Sequence, residues 1–81
     1  MEQKINALNK IMSKHLEIPV EKLSDDISYE LESRWDSVTH LKMISDIEDS
    51  LKIRFDIDEI VSLENVGKIR EVVLQKIKGQ G

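Results

Sequence analysis

The sequence predicts an all-α domain, a bundle of four helices with one short member and a long loop after the first helix. Apolar residues recur every three or four positions, as on one side of a packed helix, and do not alternate as in a strand. Residues that favour helix starts precede the later apolar runs. Because 81 residues supply one thin core, we expect residues 1–81 to form a single domain.

The first helix is predicted over residues 2–16, on the apolar stripe Ile5, Leu8, Met12 and Leu16. Pro19 then stops regular structure. Residues 17–35 form a long loop, and loops of that length in compact domains are often functional. We expect the apolar residues of the loop to anchor it to the core: Ile18, Val20, Leu23, Ile27, Leu31 and Trp35.

The second helix is predicted to begin at Asp36 or Ser37, which are both favoured N-caps, and to end within residues 51–54. Its apolar stripe consists of Val38, Leu41, Ile44, Ile47 and Leu51. The sequence therefore predicts that the long loop leads directly into a capped helix.

The remaining two helices follow closely. Asp56 is predicted to cap a helix of one or two turns, with further acids in its first turn. Asn65 is predicted to cap the last helix, which Gly79 stops. The apolar face of that helix consists of Val66, Ile69, Val72, Val73, Leu74 and Ile77. We expect residues 79–81 to be a disordered tail.

Composition excludes several functions. The chain has no cysteine, hence no disulfide, no cysteine metal site and no thiol nucleophile. No apolar run approaches the roughly 18 residues of a membrane span, and the N-terminus begins an amphipathic pattern rather than a signal peptide. We therefore expect a cytoplasmic protein without membrane insertion. Residues 21–64 hold 5 basic and 13 acidic residues, which argues against nucleic acid and favours basic protein partners.

Catalytic and metal-binding patterns are weak. Asp36, Ser37 and His40 suggest a catalytic triad, but three neighbours at one helix start do not place the histidine between serine and carboxylate. We expect His40 to be a solvated residue on an exposed helix face. Three acids resemble part of a calcium loop that lacks its glycine, and helix capping explains them better: Asp56, Asp58 and Glu59. The sequence thus predicts no metal site and no enzyme activity.

Ser37 is the remaining candidate for chemistry. It ends the long loop and opens a helix, where backbone N–H groups lack helical partners. A phosphate ester on this serine would lie at the positive end of the helix dipole. From the residues alone, an ordinary Asp36 or Ser37 cap, with Trp35 closing the loop onto the core, explains the same pattern.

Three motifs resemble the acyl carrier protein family, also called phosphopantetheine-binding or thiolation domains. Asp36-Ser37-Val38 is similar to the Asp-Ser-Leu attachment motif of the family. The run Ile47-Glu48-Asp49-Ser50-Leu51, followed by Phe55-Asp56-Ile57, looks like the end of its second helix and the next loop. Leu63-Glu64-Asn65-Val66 followed by Ile69 resembles the start of its last helix. The resemblance covers the chain from about Ile5 to Ile77.

The resemblance implies an acyl-carrier-like four-helix bundle with 4′-phosphopantetheine esterified to Ser37 by a phosphopantetheinyl transferase that uses coenzyme A. Acyl or aminoacyl intermediates would then travel as thioesters on that arm. The implied partners are this transferase, an acyl- or aminoacyl-loading enzyme, and condensing or transferase enzymes. The implied protein is a monomer and a non-catalytic substrate of enzymes. The competing interpretation is a small helical protein–protein interaction domain in which Asp36-Ser37 is only a helix cap.

Departures from the family pattern point to a specialised pathway, such as polyketide, peptide or fatty-acid-like biosynthesis. Val38 replaces the usual Leu, and Arg34-Trp35 replaces a Gly followed by a small or acidic residue. Thr39, His40 and Lys42 fill the turn in which fatty-acid carriers tend to place acids.

The resemblance also implies roles for surface residues. Asp36 would cap the helix and contact the transferase. Val38 and Met43 are candidate apolar docking residues, with a core position as the alternative for Met43. Four acids are expected to meet basic partner surfaces, or else to be merely solvated: Asp46, Glu48, Asp49 and Asp56. The residues expected in the core by default are Leu41, Ile44, Ile60, Val61, Val66 and Ile69.

Overall fold

The computed structural model describes residues 2–79, and within them the chain forms four helices around one core. These helices are α1 (Glu2–Leu16), α2 (Ser37–Leu51), α3 (Ile57–Ser62) and α4 (Val66–Gly79). A 3₁₀ turn at Val20–Lys22 interrupts the loop between α1 and α2, and residues 2–79 contain no strand. The all-α prediction is confirmed. Helix α4 includes Gly79, one residue past its expected end, and the rest of the predicted tail lies outside the described residues.

All three predicted caps are present. A carboxylate oxygen of Asp36 accepts the N–H of Thr39 at 2.8 Å and so begins α2. Asp56 and Glu59 form a reciprocal capping box at α3, in which each side chain accepts the backbone N–H of the other. The amide oxygen of Asn65 accepts the N–H of Lys68 at 2.7 Å at the start of α4. Local sequence therefore sets where these helices begin.

Helices α1 and α2 end in the same way. Glu17 and Lys52 follow them in the left-handed conformation, with φ of 57° and 58°. The next residue in each case, Ile18 or Ile53, returns its N–H to a carbonyl five residues earlier, at 3.2 and 3.3 Å. Both isoleucines pack on the core. The chain thus reverses direction without a glycine. The N–H and the apolar side chain of the isoleucine hold each helix end, and at the end of α2 the N–H of Lys52 also donates to the carbonyl of Glu48.

The core lies between α1, α2 and α4, and Trp35 and Phe55 contribute from the connecting segments. The buried residues of α4 are those predicted from its stripe, except that Leu74 is half-buried. Three residues expected to be buried from the loop pattern or the α2 stripe are exposed instead: Val20, Leu31 and Leu41. Val38, which begins the α2 stripe and is a docking candidate, is also exposed. Helix α3 has only six residues and buries none of them fully, so it leaves the first turns of α2 uncovered. Val61 of α3 was expected in the core and is exposed, because this short helix buries none of its residues fully. Ile60, also expected in the core, is half-buried.

The long loop is fastened to the start of α4 by backbone hydrogen bonds. The N–H of Val66 donates to the carbonyl of Ile27 at 2.9 Å, and the N–H of Tyr29 donates to the carbonyl of Glu64 at 2.8 Å. These bonds flank an antiparallel bridge between residues 28 and 65. Although the loop is long, its backbone is therefore fixed just before it reaches α2.

Candidate functional site

Ser37 occupies the first residue of α2 and is exposed to solvent. The preceding Asp36 has an extended backbone, so its carboxylate folds back onto the N–H of Thr39. That hydrogen bond holds the pKa of Asp36 below its ordinary value. Ser37 is thus presented at a helix start whose capping carboxylate is ionised at neutral pH and already engaged.

The hydroxyl of Tyr29 lies 3.1 Å from the hydroxyl of Ser37, within hydrogen-bond distance. Tyr29 comes from the loop, and its own backbone is held by the carbonyl of Glu64. The bond therefore links Ser37 to the loop segment that is fixed on the start of α4.

His40 lies beneath this pair and is not the solvated residue that the sequence led us to expect. The indole N–H of Trp35 donates to Nδ1 of His40 at 2.9 Å. Nε2 of His40 lies 2.9 Å from the carbonyl oxygen of Ile60 in α3. The exposure was predicted wrongly because both partners come from outside α2, which the periodicity of α2 does not show.

Three rings meet beside Ser37. The rings of Trp35 and His40 are stacked with centroids 6.0 Å apart. The Tyr29 ring meets both edge-on, at 6.4 and 6.1 Å. Trp35 is 2% exposed and so forms the floor of the cluster. We call these three residues, Tyr29, Trp35 and His40, the ring cluster.

A cleft of about 380 Å³ opens next to the ring cluster, with Ser37 at its rim. Its wall is mainly apolar and comes from α2, α3 and the turn after α3: Leu41, Ile60, Val61 and Leu63, with Glu64 at one side. Leu41 is 58% exposed and Val61 is 71% exposed. Leu41 and Val61, which were expected in the core, thus line a groove that is open to solvent.

The geometry does not support the Asp36, Ser37 and His40 triad. Nδ1 of His40 is occupied by the indole of Trp35, and Nε2 faces the carbonyl of Ile60. Neither ring nitrogen is therefore placed to take a proton from Ser37. Within residues 2–79, no three histidine, aspartate or glutamate side chains come together as metal ligands.

The two apolar docking candidates have different environments. Val38 is 61% exposed, one residue after Ser37, so its side chain is available to a partner. Met43 is fully buried, so the core alternative describes it.

The acidic docking candidates are mostly engaged within the chain. Asp46 of α2 accepts a hydrogen bond from His15 at 3.0 Å and lies 3.5 Å from Lys14, both on α1. The His15 hydrogen bond is the main cause that lowers the pKa of Asp46, against the opposing effect of partial burial. Glu48 accepts the N–H of Phe55 at 2.9 Å. These two acids therefore hold elements of the fold together.

The other two acids are placed differently. Asp56 is exposed and caps α3, and Asp49 is exposed on the surface of α2. Asp49 is thus the candidate docking acid whose carboxylate has the most open surroundings.

Sequence reasoning missed Tyr29 and misjudged His40. A signal was present, because the chain contains one Trp, one Tyr and one Phe, and two of these three aromatic residues fall in the segment just before Ser37. Such a concentration indicates a structured loop end rather than a solvated linker.

Comparison with known proteins assigns neither a family nor a function to this chain. No family model matches the chain, and no curated protein matches it either. Within residues 2–79, no helix is long and apolar enough to cross a bilayer.

Proposed function

We propose that this protein is an acyl carrier that holds acyl or aminoacyl intermediates as thioesters on a 4′-phosphopantetheine arm attached to Ser37. The observation that carries the proposal is the placement of Ser37. It is an exposed hydroxyl at the first residue of a capped helix, at the end of a loop whose backbone is fixed to α4. The motif resemblance described above independently selects the same residue.

The residues around Ser37 fit a phosphate ester. The hydroxyl is solvent-exposed, and the N-terminal end of α2 favours negative charge. The Tyr29 hydroxyl, 3.1 Å away, supplies a hydrogen-bond donor beside the ester oxygen. The acid at this helix start, Asp36, accepts the N–H of Thr39, so its carboxylate is directed onto the end of α2.

The attachment step balances with coenzyme A as the co-reactant. The Ser37 oxygen forms a bond to phosphorus, the pyrophosphate bond of coenzyme A breaks, and adenosine bisphosphate leaves with the bonding electrons. The hydroxyl proton passes to a base of the transferase, because no nitrogen of His40 faces Ser37. The attached arm supplies a thiol for thioester formation, which this cysteine-free chain lacks. The protein itself performs no catalysis in this proposal.

Partners would dock on the surface around Ser37. Exposed apolar side chains are present on α2 and α3, among them Val38, Leu41, Ile57 and Val61. Asp49 and Asp56 are exposed acids suited to basic rims of partner enzymes. The proposed partners are the transferase, a loading enzyme, and condensing or transferase enzymes. The first turn of α2 holds no acid, and Thr39 and Lys42 lie within its first two turns, which supports a specialised biosynthetic pathway.

Intact mass spectrometry tests the proposal. The purified protein is incubated with coenzyme A and a broad-specificity phosphopantetheinyl transferase. We expect the mass to rise by one phosphopantetheine group. Ser37→Ala should abolish the increase, and Ser45→Ala, another exposed serine on α2, should retain it.

Two results would count against the proposal. Failure of the folded protein to gain mass would favour the alternative, a small helical interaction domain in which Asp36-Ser37 only caps α2. A Ser37→Ala variant that still gains the full mass would show that another residue is modified.

A further inference from the structure

The hydrogen bonds of His40 define its protonation state. The indole nitrogen of Trp35 is only a donor, so Nδ1 of His40 must accept and carry no proton. The carbonyl oxygen of Ile60 is only an acceptor, so Nε2 must carry the proton. His40 is therefore the neutral imidazole protonated on Nε2. A second proton on Nδ1 would place two N–H donors against each other.

These two bonds join three segments of the chain. Trp35 is the last loop residue before Asp36-Ser37, His40 lies one turn into α2, and Ile60 lies in the last turn of α3. Helix α3 has no fully buried residue of its own, and besides this bond it is held by the Glu59–Lys76 ion pair at 2.8 Å, by the packing of Ile60 on the core and by the buried Leu63 that follows it. The bond from the His40 ring to Ile60 is thus the direct link between α3 and the start of α2 across the cleft beside Ser37.

The His40 ring is also linked to the hydroxyl of Ser37 through the other two residues of the ring cluster. Trp35 stacks on His40, the Tyr29 ring rests edge-on against both, and the Tyr29 hydroxyl reaches the hydroxyl of Ser37. We propose that neutral His40 is a positioning residue, which holds Ser37 and the wall of the cleft in the arrangement that a modifying or docking enzyme recognises. Protonation of His40 on Nδ1 removes the acceptor of the Trp35 N–H, keeps the bond from Nε2 to the Ile60 carbonyl, and so disturbs the Trp35 and Tyr29 side of that arrangement. The effect on modification rests on the proposed function, whereas the protonation state and its structural effect do not.

Few other titratable groups face His40. Tyr29 from the loop and Glu64 from the turn after α3 line the cleft with it. The backbone carbonyl of Asp36, the N-cap of α2, accepts the N–H of His40 at 2.8 Å, and its carboxylate accepts the N–H of Thr39. Of these, histidine is the side chain whose charge ordinarily changes between about pH 5 and pH 8.

Nitrogen-15 NMR of the histidine rings tests the protonation state directly. At about pH 8, where histidine is ordinarily neutral, we expect the His40 signals of an imidazole protonated on Nε2. On acidification, the amide signals of Ser37 and Val38 should shift together with the His40 ring. In His40→Gln, whose side chain supplies an acceptor and a donor but does not titrate, those amide shifts should disappear. A His40 ring protonated on Nδ1 at that pH, or amide shifts that persist in His40→Gln, would overturn the proposal.

The rate of Ser37 modification provides the functional readout. Dividing the wild-type rate by the His40→Gln rate at each pH removes the pH dependence of the transferase. We expect this ratio to fall about fivefold once acidification removes the hydrogen bond between Trp35 and His40, the equilibrium effect of one lost hydrogen bond. His15→Gln is the matched control, because His15 lies on α1, bonds Asp46 and has no contact with the ring cluster, so this variant should keep the profile of the wild type. A ratio that stays constant with pH would exclude His40 as a positioning residue. A wild-type protein that is never modified would instead reject the carrier proposal, and the NMR result on His40 would still stand.

Discussion

Arg70 of α4 and Asn9 of α1, far apart in the chain, are joined by a forked hydrogen bond. Nε and one terminal nitrogen of Arg70 both donate to the side-chain oxygen of Asn9, at 3.2 and 3.1 Å. The guanidinium also reaches Asp25 at 2.6 Å and the carbonyl of Leu23 at 3.0 Å. One arginine therefore ties α1, the long loop and α4 together. This arrangement suits arginine, whose planar group offers several donors in fixed directions.

Replacing Arg70 should loosen this junction. We expect Arg70→Ala to lower the free energy of unfolding by about 1–3 kcal/mol, because a partly buried guanidinium loses bonds to several acceptors at once. Urea unfolding followed by circular dichroism measures the change. Arg54→Ala, at an exposed arginine between α2 and α3, should change stability by less than about 0.5 kcal/mol. Equal effects of the two variants would contradict a special role for Arg70.

Gly67 should be intolerant of a side chain. A Cβ atom there would lie 2.9 Å from Cβ of Asp25 and 3.2 Å from its backbone oxygen, which accepts the N–H of Gly67. We expect Gly67→Ala to destabilise the protein by about 1–3 kcal/mol through overpacking, which exceeds the helix propensity that alanine gains. Gly79→Ala, in the same helix with open space around it, should be neutral or stabilising. Thermal unfolding of both variants provides the comparison.

Met43 and Val38 should respond oppositely to truncation. We expect Met43→Ala to cost about 2–5 kcal/mol in unfolding free energy, because it leaves a cavity in the core. Val38→Ala should cost less than about 0.5 kcal/mol, since its side chain is exposed. Denaturant midpoints of the two variants check this. A mild effect at Met43 would reopen its assignment as a docking residue.

Stability should fall in acid, and Asp46 should contribute to the fall. Its pKa is lowered in the folded state, mainly by the hydrogen bond from His15, so folding favours the ionised form. The contribution is complete above the ordinary value of 3.8 and is lost as pH falls through the lower folded value. We expect the urea concentration at the unfolding midpoint to decrease as the pH is lowered below about 4, and to decrease less steeply in Asp46→Asn. Asp49→Asn, at an exposed acid on the same helix, should retain the steep drop.

Features with a local cause could be predicted from sequence. Asp36, Asp56 and Asn65 cap their helices as expected, because a cap depends only on the next three residues. The buried face of α4 was also predicted, since both α1 and the loop pack against a regular stripe. Ser37 was expected at or next to the start of α2, and it is the first residue of that helix, whereas its role as an attachment site stays a prediction.

Features that depend on distant partners could not be predicted in this way. Leu41 belongs to the periodic stripe of α2, yet it is exposed because the helix that would cover it has only six residues. His40 looked like a surface residue, yet Trp35 and Ile60 draw it into the structure. Periodicity reports which face of a helix is apolar, whereas the length and position of the neighbouring helix decide whether that face is covered.

The bridge between residues 28 and 65 has a consequence for the order in which the protein matures on the ribosome. Residues 28 and 65 are separated by the whole of α2 and α3, and the backbone bonds beside them hold the loop that carries Tyr29. Because the chain emerges N-terminus first, Ser37 leaves the exit tunnel well before residue 65 is available to fix its loop. A nascent chain that displays Ser37 therefore still lacks the fold around it, and the surroundings of Ser37 become complete only when α4 has been synthesised.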